Sequence, residues 1–203
     1  MTKTNLKEAE ARQHILEQAG DLFGHLGVSK TTISDVAKAS GFSTANVHRL
    51  FGTKSDLRHA VCNAFLQERT QEAEQAIALH ETADEQIIAM TWTIYNATVV
   101  SLKERPQIHE MAAMACLEQW PPVVAYRDRI QGLWRTVIDK GIEDGDYALS
   151  DPDQAVRFLH MASFPLFHPL IVSELSGKAD EPKVKDFLAL ADLILHAEAQ
   201  HQG

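Results

Sequence analysis

The chain has 203 residues, 45% of them apolar, and carries 28 Asp and Glu against 19 Lys and Arg for a formal net charge of −9. That length fits one large domain or two small ones with a real core. The acidic balance excludes nucleic-acid binding by the whole surface, though not by a local basic footprint. No apolar run approaches the ~20 residues that span a bilayer, and no basic-then-apolar leader opens the chain. The expectation is a cytoplasmic protein with no membrane partner. Cys62 and Cys116 show no CxxC spacing and read as reduced thiols.

In chain order, Ile15, Ala19, Leu22 and Leu26 fall at helical spacing, widened by Leu16 and Phe23, and Gly27 ends that helix. The next stretch, Thr32 to Lys54, is punctuated closely. Thr32 with Asp35 three residues on forms a capping-box-like start, and Gly41 closes the short helix. Ser43 caps a second helix in which Val47, Leu50 and Phe51 bury one face, leaving Thr44, Ala45, Asn46, His48 and Arg49 pointing elsewhere. Thr53 with Asp56 caps a third helix, which Lys54 opens. Two short helices joined by a tight turn make a helix-turn-helix, a device for placing one helix in the DNA major groove. Thr44 and Asn46 are expected at base edges, and Thr32, Ser43, His48, Arg49 and Lys54 at phosphates. Charge agrees. No acid lies between Gly41 and Lys54, and residues 1–60 carry a net +2 against −11 for the remainder.

Leu57, Val61 and Phe65 continue the third helix to about His80 with no Pro or Gly linker, so it leaves the DNA-binding part and enters the next. The boundary is set at 61, giving a 1–61 DNA-binding domain and a 62–203 helical domain. The remainder reads as helix throughout: Thr82 to Lys103, Pro106 to Gln119, Val123 to Ile142, then Asp151 to Leu175 interrupted by Pro165 and Pro169. A polar loop at 178–181 precedes a last helix opened by Pro182, striped by Val184, Phe187, Leu188, Ala191, Ile194 and Leu195. No strand-period alternation occurs, and the fold class is all-α.

The run Ile15 to Val61 resembles the N-terminal domain of TetR-family transcriptional regulators, through Ala19, Phe23, Gly27, Thr32-Ile33, Val36-Ala37, Gly41-x-Ser43, Phe51 and Lys54-x-x-Leu57. Three positions depart from the family pattern. His48 stands where a backbone-contacting Tyr is usual, Gly52 where Pro is common, and Phe42 where Val or Met is. The resemblance implies a regulator of a palindromic operator, with two heads about one helical turn (~34 Å) apart. It also implies a homodimer built through the last two long helices, with the late stripe at the interface. Finally it implies a small-molecule effector site in the second domain. Trp92, Tyr95, Met111, Met114, Trp134, Phe164 and His168, with Trp120, are the large or soft side chains available to line it, and they suit a hydrophobic or aromatic molecule. Taken singly, each reads more readily as plain core than as a ligand contact.

No HExxH, GxSxG or Gly-rich phosphate loop occurs, so no enzymatic activity, cofactor or metal is expected. The rival from another class is a metal sensor or metal-dependent enzyme. His160 and His168 lie eight residues apart, near two helical turns, with Asp153 or Glu174 close by. A helical ligand carrier that does not bind DNA is the third reading.

Overall fold

The computed structural model describes residues 3–175 and 180–196. Among them it has ten helices and no strand: α1 Lys3–Leu26, α2 Ile33–Ser40, α3 Thr44–Phe51, α4 Lys54–Ala78, α5 Ala83–Glu104, α6 Pro106–Leu117, α7 Pro121–Asp144, α8 Pro152–Phe167, α9 Pro169–Leu175 and α10 Asp180–His196. Chain chemistry explains most of these boundaries. Thr32, Thr53 and Thr82 each form a full capping box, with Asp35, Asp56 and Glu85 respectively. Each box satisfies amides that a helix start leaves unpaired. Pro106, Pro121 and Pro152 occupy first helical positions, where the missing N–H costs nothing. The break expected late in the chain falls at His168. Pro169 drives the preceding residue to extended backbone (φ −80, ψ 119), and α8 and α9 meet at a 52° bend. Pro165 is absorbed in the last turn of α8. Of the polar loop expected at 178–181, 178 and 179 lie outside the described residues, and α10 begins at Asp180, ahead of Pro182.

Two apolar clusters organise the molecule. The first joins Ile15, Ala19 and Phe23 of α1 to Val36 and Ala37 of α2, Val47 and Phe51 of α3, and Leu57, Val61 and Cys62 of α4. It does not stop at the head: Ile108, Met111 and Ala115 of α6, Trp120, and Val123 of α7 belong to it. The α1 stripe is rotated from expectation, since Phe23 is buried and Leu26 exposed. The helix ends at Leu26, and Gly27 turns the chain away. The second cluster surrounds Trp134 and draws on α5, α7, α8 and α10, with Ala73 of α4 and Tyr147 from the turn after α7. That turn demands a glycine. A Cβ on Gly141 would lie 2.3 Å from the Tyr147 ring, whose hydroxyl donates to Asp84 Oδ1 at 2.6 Å. The helix α4 crosses residue 61 unbroken and carries the head into the body. No single described helix is long and apolar enough to cross a membrane.

Candidate functional site

The head presents α3 outward. Val47 and Phe51 are buried, while Ser43, Thr44, Ala45, His48 and Arg49 are exposed and Asn46 is half-buried. The helix is fixed at its start by Ser43, whose hydroxyl accepts from the Asn46 amide at 3.2 Å. Its end is fixed by a residue that sequence reasoning missed. Arg12 of α1 donates to the Leu50 carbonyl at 2.9 Å and lies 4.2 Å above the Phe51 ring. It thereby satisfies a last-turn carbonyl with a cation. Its sequence signal was weak, because nothing marks which solvent-face cation of a long helix meets a neighbour.

The other candidate DNA contacts are held by local bonds. The Thr32 amide and hydroxyl both donate to Asp35 Oδ2, at 2.9 and 2.7 Å, and these bonds hold the Asp35 carboxyl below its ordinary range. Lys54 Nζ donates to the Ser29 carbonyl at 3.3 Å, tying α4 to the turn after α1. Arg49 pairs with Glu8 of α1 at 3.1 Å. This exposed pair exchanges readily for a phosphate.

The seven expected effector contacts do not converge. Phe164 and His168 line one cleft of about 360 Å³, in the company of Tyr126, Arg127, Ile130 and His160. Trp134 is at the centre of the body core with Phe187 at 6.0 Å. Tyr95 is buried in the same core, with Trp92 edge-on to it at 6.1 Å. Met111 belongs to the head core, as does Trp120, whose indole donates to Glu118 at 2.7 Å. Met114 borders a separate crevice beside His25 to Lys30. The cleft was legible only through Pro165 and Pro169. Tyr126, Arg127 and Ile130 depend on the rotational phase of α7, which the sequence leaves open.

Below the cleft, a cavity of about 60 Å³ shares Cys116, Val123, Tyr126 and Phe167 with it and reaches Cys62, Ile94 and His109. His109 Nε2 donates to the Pro169 carbonyl at 3.0 Å and lies 2.8 Å from Ser173 Oγ, so α6 is tied to α9. Burial pushes the Cys62 thiol up to about 12. Burial pushes His160 and His168 down and so favours the neutral form of both rings. They face one cleft, but no third ligating side chain joins them in a metal-holding group among the described residues.

The family described as "Bacterial regulatory proteins, tetR family" matches residues 15–61. The one described as "Tetracyclin repressor-like, C-terminal domain" matches residues 83–187, slightly more than half of the chain. The chain belongs to the TetR family of transcriptional regulators. Its relatives include the HTH-type transcriptional repressor KstR2 of Rhodococcus jostii (strain RHA1), 23% identical over 150 residues, which span 73% of this chain and 74% of that protein. Among solved structures, the fatty acid degradation regulator FadR from Bacillus halodurans superposes with a TM-score of 0.65 at 12% identity, over 91% of this chain and 94% of that one. RolR in complex with resorcinol gives 0.61 at 16% identity, over 94% of each chain.

Within a TetR-family head, two of the departures noted above turn out to be one. Gly52 adopts φ +79, a value closed to proline, and a Cβ there would meet Asp56 Oδ2 at 2.8 Å. His48 Nδ1 lies 2.7 Å from the Gly52 carbonyl, which can only accept, so Nδ1 carries the hydrogen. The histidine thus braces the turn that its neighbouring glycine makes possible. A bond from His48 Nε2 to a phosphate then requires the doubly protonated ring.

TetR-family regulators bind DNA and typically dimerise, and the body of this one has a surface suited to pairing. Phe158 and Met161 of α8 and Leu190 and Leu193 of α10 are exposed. The late stripe expected at the interface faces inward instead, since Val184, Phe187, Ala191 and Leu195 are core residues and Leu188 packs against them. Helix α10 is apolar on two sides, and the sequence pattern followed the buried one.

Proposed function

We propose that the protein is a homodimeric repressor that leaves a palindromic operator when a small, largely apolar or aromatic molecule enters the cleft between α6, α7 and α8. One observation carries this reading. The twelve-residue helix α6 belongs to both sites. Its Ile108, Met111 and Ala115 help build the head core, and its Cys116 and Leu117 line the cleft. A ligand that binds better to one position of α6 biases the head by that same differential free energy. Two similar proteins support this reading: KstR2 is a transcriptional repressor, and RolR has been solved in complex with resorcinol.

In this reading, Thr44 and Asn46 meet base edges while Thr32, Ser43, His48, Arg49 and Lys54 meet phosphates. Asn46→Ala is expected to relax sequence preference at a cost of roughly 1–3 kcal/mol. Lys54→Ala should weaken binding to all sequences alike and flatten the salt dependence by about one phosphate contact. Selection of bound sequences from a random duplex pool, followed by titration at several salt concentrations, tests both. A Lys54→Ala protein with altered sequence preference and an unchanged salt slope would overturn the assignment. The effector role is tested by screening apolar and aromatic compounds for a rise in melting temperature and then for release of the selected operator.

A further inference from the structure

The cleft that the proposed function assigns to the effector has a charge pattern at odds with its surroundings. Residues 61–203 carry twice as many acids as bases, yet no Asp or Glu lines the cleft. Arg127 of α7 does, and among the described residues its guanidinium donates only to the side-chain oxygen of Gln119, at 3.0 Å. Among the described residues it pairs with no carboxylate, although Arg69, Arg129, Arg135 and Arg157 all do. It is close enough to His160 to disfavour that ring's charged form. Phe164 and His168 also line the cleft, with ring centres 4.6 Å apart, and the buried His168 Nδ1 has no hydrogen-bond partner among the described residues. The rest of the wall is mostly apolar, from Val123, Ile130 and Phe167, with Tyr126 and Ser163 adding hydroxyl-bearing side chains.

An arginine held by one neutral amide, at the edge of an apolar cleft without acids, is arranged for a planar anion. The guanidinium offers a bidentate face that Gln119 does not fill, and the aromatic wall takes an uncharged body. Resting on the effector reading above, we infer that the ligand is a monocarboxylate with an apolar body, its carboxylate on Arg127 and its body against Phe164, Phe167 and Ile130. A volume of about 360 Å³ admits either a medium-length aliphatic chain or a single substituted ring. This narrows the expectation of a largely hydrophobic or aromatic ligand by adding one anionic group, since the lining read from the sequence did not include Arg127.

The test uses the full-length protein with octanoate, decanoate and phenylacetate, each paired with its primary amide. Affinity is measured by calorimetric titration, and release is measured on the selected operator. At least one acid should bind, at least about tenfold more tightly than its amide, and more weakly as salt rises. Arg127→Gln should abolish that preference while leaving the amide's affinity unchanged, and Arg127→Lys should restore part of it. The aliphatic and aromatic arms decide which body the wall accepts. Equal binding of acid and amide to the wild type, or no binding of any acid at millimolar concentration, overturns the inference even if the variants fail to fold. An acid that binds through Arg127 without releasing DNA leaves the ligand chemistry standing and removes the effector role. A neutral aromatic that releases DNA where no acid binds does the reverse.

Discussion

Carrying Met161→Glu and Leu193→Glu together should convert the protein to folded monomers. Met161 is 70% exposed and Leu193 59% exposed, on helices that pack side by side. A two-fold interface uses each patch twice, so two substitutions place four carboxylates in the contact. Each carboxylate buried without a partner costs several kcal/mol, more than a dimer contact of ordinary size can spare. Sedimentation velocity at micromolar concentration should show a single species near 22.6 kDa, with helical content retained in far-UV dichroism. Operator binding should fall to that of one head. The same charge at Ala191, only 2% exposed, enters the protomer's own core and should unfold the chain rather than divide the dimer. If the double variant sediments as a dimer, the pairing surface lies elsewhere.

Trp134→Ala should destabilise each protomer by about 3–5 kcal/mol. The indole is fully buried, touches Phe187, and sits in the cluster that joins α5, α7, α8 and α10. The space left cannot collapse easily, because the surrounding cluster is built from several separate helices. For a chain of this size the melting temperature should drop by roughly 6–20 °C. Thermal denaturation followed by dichroism checks this. A variant with the wild-type melting temperature and weakened ligand binding would return Trp134 to the effector site, where its residue type alone had suggested it.

Trp134 illustrates what a sequence does and does not specify. The helix starts at Thr32, Ser43 and Thr53 were readable because a cap is local chemistry: a side chain bonds an amide three residues away, and spacing suffices. The break near Pro169 was readable for the same reason. Whether Trp134 lines a cavity or fills a core depends on how far apart two helices sit, and no local pattern encodes that distance. Arg127 was missed because its exposure to the cleft follows from the rotation of α7. On α10, Leu190 and Leu193 compete with Phe187 and Ala191 for the inward side, and hydrophobicity ranks both sides alike. The Arg12 contact joins residues 38 apart in sequence, beyond any spacing rule.

The head core closes on Ile108, Met111 and Ala115 of α6, on Trp120, and on Val123 of α7. A fragment cut at residue 61 would expose that closing surface to water. Head and body are therefore expected to unfold as one cooperative unit, and calorimetry of the intact chain should record a single transition. The head meets α6 through α1 and α4, so opening that part of the head must break contacts with α6, and its free energy rises with whatever holds α6 in place. A ligand lodged against Cys116 and Leu117 would make the head harder to melt while it loosens the hold on the operator. Heat sensitivity and induction would then respond to the same molecule in opposite directions.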